Sequence, residues 1–328
     1  MAVWYDAGMK ICLLGAAGFL GGAAAQELSR RTGVDELILV DYVIRDAKRL
    51  AKALSPKCRW AMADAAKPLE LSRLLEGIDA VANAVGPCAE NEKAALLACA
   101  GMRVAACSAG EGTFPGADRR EIDAAFRAAG VPAVSGCGMM PGWTELLSAH
   151  FLSGGGETAR HLFFSPDRFG GYAFLRGVVK GITGAAPSPP GAPAGNYFAM
   201  TDGSRIGVPE GNAGNRLSRI VGTAGKLGAA GKEFSAALLL WLRGSMAAPP
   251  GTPAAAAGVA AGARYARIED PSGRLAAMTL AETAVLLGSR RPERFGLLPL
   301  PDLVGREEAE RLAAAAGARI EEGPIPPA

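Results

Sequence analysis

Residues Lys10 to Gly22 read KICLLGAAGFLGG. An apolar run, Ile11-Cys12-Leu13-Leu14, stops at Gly15, and Gly18 and Gly21 follow at three-residue intervals. Gly22 and Ala23-Ala24-Ala25 then lead into a segment with helical composition that reaches Arg31. A strand, a glycine turn and a helix in that order form a phosphate cradle. Gly15 allows the sharp turn, Gly18 the approach of backbone to a pyrophosphate, and Gly21 close packing of helix on strand. Ala17, Phe19 and Leu20 complete the expected cofactor loop. The spacing is G-x-x-G-x-x-G and not the stricter G-x-G-x-x-G, and the chain holds 44 glycines in 328 residues. A ligand-free core turn therefore fits the same letters. Lys10, the apolar run and the alanines also resemble a secretory leader, but glycines interrupt the run and strand–helix alternation follows it.

Working outward, the alternation continues. Residues 37–40 (LILV) read as a second strand ending at Asp41, and 44–54 have helical spacing. Residues 58–62 read as a strand ending near Asp64, and 69–76 as a short helix. A strand over 80–85 runs into Gly86-Pro87, and 90–100 is helical. Strands over 102–107 and 131–134 flank a helix over 119–129. Continuous apolar runs alternating with amphipathic helices predict parallel strands covered on both faces. The fold class is α/β, a doubly wound parallel sheet of Rossmann type.

The strand ends share one edge of such a sheet, where ligands bind. Asp41 stands where the dinucleotide fingerprint places a carboxylate for the ribose hydroxyls. It would repel a 2′-phosphate, so the cofactor is NAD or NADP with a lean to NAD, although Arg45 and Lys48 could receive that phosphate. A plain strand-end cap is the alternative for Asp41. Asp64 and Ala65 are candidates for the adenine pocket. Ala84, Val85, Gly86, Pro87 and Ser108 are candidates for backbone contact with the cofactor. After the strand over 131–134 comes Ser135-Gly136-Cys137-Gly138-Met139-Met140-Pro141-Gly142-Trp143. Met140 and Pro141 are assigned to the cofactor, Gly142 and Trp143 to the substrate. The helix expected over 144–151 starts there, and its N-terminus would suit a carboxylate or carboxamide.

A formal charge of +3 gives no electrostatic reason for nucleic acid or an anionic membrane as partner. No apolar run is long enough to span a bilayer. The six cysteines form no C-x-x-C, which predicts buried free thiols and a cytoplasmic location. No His-x-x-x-His or Cys pair has ligand spacing, so no metal site is expected. The second half differs in texture. A strand over 160–165, a helix over 171–182, a loop over 185–195 and a hairpin over 198–208 around Asp202-Gly203 are expected. A helix over 233–243, a low-complexity loop over 247–262 and a second hairpin over 264–280 around 270–273 follow. Helices over 281–287 and 307–316 close the chain. The division expected is a Rossmann domain over 1–145 and an α+β substrate and dimerisation domain over 146–290. A C-terminal segment over 291–328 follows, with return to the first domain as one option.

The blocks GAAGFLGG, LILVD ending at Asp41, DAVANAVGP (79–87) and GCGMMPGWTELLS (136–148) resemble the saccharopine dehydrogenase-like oxidoreductases over residues 10 to 150. That resemblance implies an NAD(P)-binding Rossmann domain, an inserted α+β domain that closes over a small-molecule substrate, and a homodimer. It implies hydride transfer at a carbon bearing nitrogen, and a return of the segment near Thr283 to the cofactor domain. Met139 and Met140 depart from relatives that carry an acidic residue before the Pro-Gly.

A hydride transfer also needs an acid or base. The chain has two histidines, His150 and His161, and these with Glu111 are the candidates. Arg168, Tyr172 and Arg176 are candidates to anchor the substrate, arginine being suited to carboxylates. Short-chain reductases share the glycine turn but require Tyr-x-x-x-Lys, and none of the five tyrosines has Lys four places on. A non-catalytic NAD(P)-binding redox sensor remains the alternative.

Overall fold

The computed structural model describes residues 8–86, 88–110, 116–152, 159–165, 167–210, 215, 219–220, 223, 229–242, 248–289 and 293–325. The chain forms two compact units, one from Met1–Cys137 with Ala276–Leu303, the other from Gly138–Leu275 with Val304–Ala328.

The first unit holds β1 (Met9–Leu14), β2 (Val34–Asp41), β3 (Cys58–Met62), β4 (Ala80–Asn83), β5 (Ala105–Ser108), β6 (Pro132–Ser135) and β13 (Gly296–Pro299). They make a seven-stranded sheet in the order β13-β6-β5-β4-β1-β2-β3. Every pairing is parallel. Parallel strands need crossovers, supplied by α1 (Phe19–Arg30), α2 (Ile44–Leu54), α3 (Pro68–Leu74), α4 (Cys88–Gly101) and α5 (Gly116–Ala129). The central strands are buried along their length, which is why ICLL and AVAN lack polar–apolar alternation. Strand order reverses between β1 and β4, which is the switch point of a doubly wound sheet. Helix α9 (Leu275–Ser289) also lies largely in this unit. Its Glu282 accepts a 2.6 Å ion pair from Arg31, and its Leu280 carbonyl accepts from the buried Cys107 thiol.

The second unit holds β7 (Ala159–Phe164), β8 (Ile182–Ala186), β9 (Gly195–Met200), β10 (Arg205–Pro209), β11 (Ala255–Ala261), β12 (Arg264–Asp270) and β14 (Arg319–Pro324). Their order is β14-β12-β11-β7-β10-β9-β8, antiparallel except for β7 with β10. Helix α6 (Trp143–His150) packs on β11 and β12. Helix α7 (Tyr172–Gly181) packs against α8 (Ala229–Leu242), and α10 (Arg306–Ala316) against α6 and β14. Among the described residues no helix is long and apolar enough to cross a membrane.

Two expectations are corrected here. Residues 255–261, read as a low-complexity loop, are a buried strand between β7 and β12. Its letters AAAGVAA carry little strand propensity, but small side chains suit a crowded position. A Cβ on Gly258 would stand 2.3 Å from Cε1 of His161. The second hairpin is absent: β12 pairs with β11 and β14, and residues 275–280 open α9. Asp270 makes the difference. Fully buried, it accepts the amides of Ser272 and Gly273 at 2.9 Å and that of Leu275 at 2.8 Å. Its side chain therefore turns the chain and holds the first amide of the helix.

Candidate functional site

The glycine turn sits at the switch point. Gly15 has φ +73, and a Cβ there would lie 2.9 Å from the Ala84 carbonyl and the Val85 amide. Only glycine lets β1 turn this close to the end of β4. A Cβ on Gly21 would lie 2.0 Å from the Gly15 carbonyl oxygen, so glycine is required where α1 packs on the turn. Gly18 is the N-cap of α1 and has ordinary φ −70, with no side-chain bond capping the helix. The first turn of α1 thus presents backbone dipole to an anion without a side chain in the way.

Asp41, at the end of β2, accepts the amide of Ala17 at 2.9 Å through Oδ2 and that of Val43 at 2.9 Å through Oδ1. It ties the glycine turn to the second strand and still has carboxylate lone pairs for other donors. Around it stand exposed apolar side chains: Phe19, Tyr42 (74 % exposed), Val43, Ile44 and, at the end of β3, Met62 (59 %). The cations on α2 are engaged. Arg45 and Arg49 reach Asp46 at 3.2 and 3.5 Å, and Lys48 lies 5.1 Å over the Trp60 ring. The Arg45 bond holds the Asp46 carboxyl below its usual range. Asp64 accepts the Ala66 amide at 3.0 Å and Ala65 is buried beside it. Ala84, Val85 and Gly86 are half-buried at the end of β4. Pro87 and Glu111 lie outside the described residues.

The edge of β4, β5 and β6 carries a buried polar chain. Asn83 accepts the Val85 amide at 3.1 Å and donates to Ser108 Oγ at 3.1 Å. The hydroxyls of Ser108 and Ser135 both bond to Glu92 of α4, Ser135 at 2.9 Å. Glu92 is 1 % exposed, and burial raises its carboxyl above the usual range while the two hydroxyls oppose that shift. Sequence reasoning found Ser108 and missed Asn83, Glu92 and Ser135. For Asn83 and Ser135 the available signal was a polar letter at the end of a strand otherwise apolar, whereas Glu92 on α4 carried no such signal.

The second unit holds the remaining candidates. Gly142 has φ +127 and starts α6, with Met140-Pro141 just before it. The Gly142 amide donates to Glu145, which also accepts from Thr144 Oγ1 at 2.7 Å and from Arg160 at 3.2 Å. The helix start thus already holds a carboxylate of its own. Trp143 is fully buried. Arg168 donates to the Thr252 carbonyl and lies 3.8 Å from Asp167. Tyr172 and Arg176 are one turn apart on one face of α7, and Tyr172 is 42 % exposed. His150 Nε2 lies 3.0 Å from the Val304 carbonyl. His161 is buried with neither ring nitrogen bonded, and burial, then Arg267 and Arg205, lower its pKa to about 4. Among the described residues no group of metal-ligating side chains is gathered.

Residues 11–134 match the saccharopine dehydrogenase NADP binding domain. The fold is similar to that of apo saccharopine dehydrogenase (L-Glu forming) from Saccharomyces cerevisiae, with TM-score 0.60 and 11 % identity over 97 % of this chain and 100 % of that one. Partial likenesses extend to a short-chain oxidoreductase from Thermus thermophilus (26 % identity, 30 % of this chain and 57 % of that one, TM-score 0.24). A nucleoside-diphosphate-sugar epimerase from Pseudomonas aeruginosa gives 24 % identity over 39 % of this chain and 51 % of that one, TM-score 0.30. No curated protein sequence matches the chain. The family match thus covers the first sheet and its glycine turn, and over its whole length the chain is similar in fold to a saccharopine dehydrogenase.

Proposed function

We propose that the chain is an NAD(P)-dependent oxidoreductase that transfers a hydride at a carbon bearing nitrogen, oxidising an amine or reducing an imine. One observation carries the cofactor part. The glycine turn lies at the switch point of a parallel sheet, with Gly15 and Gly21 obligatory by contact and α1 starting without a side-chain cap. These residues fit a dinucleotide. The amides of the first turn of α1 take the pyrophosphate, Asp41 the ribose hydroxyls, and Tyr42, Val43 and Met62 cover the adenine. NAD is preferred over NADP, because Asp41 repels a 2′-phosphate and Arg45, Lys48 and Arg49 already have partners.

When bound, the nicotinamide supplies or accepts the hydride. Tyr172 and Arg176, with Arg168, are assigned to anchoring the substrate, and Glu111 stays the candidate acid or base. The resemblance to the family supports the reaction at a carbon–nitrogen bond, the homodimer and a cytoplasmic site of action. A second reading, a dinucleotide-binding sensor without turnover, is favoured by the histidines: one ring is held by a carbonyl and the other is buried. Titration with NADH and NADPH, followed by a screen of amines and imines for change in nicotinamide absorbance, separates the two. Turnover supports the oxidoreductase, binding without turnover the sensor, and absence of binding overturns both.

A further inference from the structure

Glu92 is a carboxyl with no cation paired to it among the described residues, seated behind the ends of three adjacent strands. Among the described residues its hydrogen-bond partners are hydroxyls, Ser135 at 2.9 Å and Ser108, the latter held in turn by Asn83. Gly110 closes over it: with φ +49, its absent Cβ would lie 2.9 Å from Ser135 Oγ and 3.3 Å from Glu92 Oε1. Among the described residues, the nearest charges on α4 and α5 pair with one another. Lys93, next on α4, is bound at 2.7 Å by both Asp118 and Glu121 of α5. Of the α3 groups, Glu70 is held by Lys67 at 3.1 Å, and Arg73 is the other charge. Cys107 on β5 and Cys137 just past β6 add buried thiols. A carboxyl in this setting does nothing for an ion pair and little for packing. Ionised, it carries a charge that no described cation compensates.

In a doubly wound sheet each half of β–α–β–α–β holds one mononucleotide. The glycine turn and Asp41 take the adenosine half, which leaves the ends of β4, β5 and β6 for the nicotinamide half. An oxidised nicotinamide ring is a cation and a reduced one is neutral. We propose that Glu92 couples the oxidation state of the bound cofactor to one proton, as a carboxylate with the oxidised ring and as a carboxylic acid with the reduced ring. Binding of the oxidised cofactor to the protonated protein then releases that proton to solvent by way of the half-buried Ser135 hydroxyl. Binding of the reduced cofactor releases none. The inference rests on the dinucleotide reading above and needs no substrate.

The test is calorimetric titration of the full chain with NAD+ and with NADH, in buffers of differing ionisation enthalpy, at mildly acidic and neutral pH. The pair shares all phosphates, so the difference isolates the ring. The wild type releases up to about one proton more with NAD+ than with NADH, and its NAD+ to NADH affinity ratio rises by up to about tenfold per pH unit below the carboxyl's pKa. Glu92→Gln abolishes the difference and flattens the ratio. Ser135→Ala, which removes one opposing hydroxyl, keeps the release and moves it to higher pH, and serves if the first variant does not fold. Equal proton counts for the two cofactors in the wild type, or a difference that survives in Glu92→Gln, overturn the role of Glu92 while leaving the site intact. Failure of both cofactors to bind the wild type overturns the site itself and this inference with it.

Discussion

Asp41 ties the glycine turn to β2 and, on the proposed function, also selects the cofactor. Its two oxygens hold the Ala17 and Val43 amides, so it fixes the glycine turn by bonds within the chain itself. Asp41→Ala therefore weakens NAD and NADP together, by about tenfold or more, because a charge-assisted bond to the turn is lost. It also shifts the ratio toward NADP; paired dissociation constants that move by one common factor would remove the selective role. Gly18 and Gly21 separate ligand contact from packing. Gly21→Ala drives a Cβ to 2.0 Å from a carbonyl oxygen and destabilises the fold by about 2 kcal/mol or more. Gly18→Ala meets only the Gly15 carbonyl at 3.2 Å, so its melting curve stays near wild type while cofactor affinity falls.

His161 is kept neutral in the fold. Its pKa falls from 6.5 to about 4, so the unfolded chain binds its proton first. Its contribution to stability is full above pH 6.5 and is lost as pH drops through 4, on the order of 3 kcal/mol in all. His161→Phe, which leaves no ring nitrogen unpaired, removes that acid loss and is neutral or stabilising at pH 7. An acid limb of stability unchanged in the variant would contradict this.

At the scale of elements, Asp270 decides where a strand ends and α9 begins. Its bonds to Ser272, Gly273 and Leu275 are buried, so Asp270→Ala leaves several amides unsatisfied and costs about 3 kcal/mol, measured by denaturant unfolding. The same residue shows what the letters hide. Asp-Pro-Ser-Gly between apolar runs reads as a hairpin turn, and only the burial of Asp270 shows that it also caps a helix. LAAMTLAETAVLLG is apolar except at Thr279, Glu282 and Thr283, and periodicity does not separate a buried helix from a strand there. AAAGVAA has the opposite problem, because alanine and glycine say little about propensity and β11 is made a strand by its neighbours β7 and β12. Where apolar runs alternate with amphipathic helices, as from β1 to β6, strand and helix were legible to within a few residues.

At the scale of the molecule, the first sheet was readable because each βαβ unit is local in sequence. Its seventh strand, β13, comes from residues 296–299 after the whole of the second sheet, and nothing in GLLP names its partner β6. The second sheet is built from pairings distant in sequence, such as β12 with β14. No short window carries such a pairing. The candidate site follows the same rule. The glycine turn and Asp41 share a local fingerprint, whereas Asn83, Glu92, Ser108 and Ser135 meet only through the sheet. On the proposed function, the turn between β1 and α1 binds a nicotinamide dinucleotide. The most direct measurement is fluorescence titration of the wild type and Gly18→Ala with NADH and NADPH, with melting curves of both proteins. Saturable binding by the wild type, lost in a variant that melts like it, is the result expected. A wild type that binds neither cofactor, or a folded Gly18→Ala that binds as tightly as wild type, would contradict the claim.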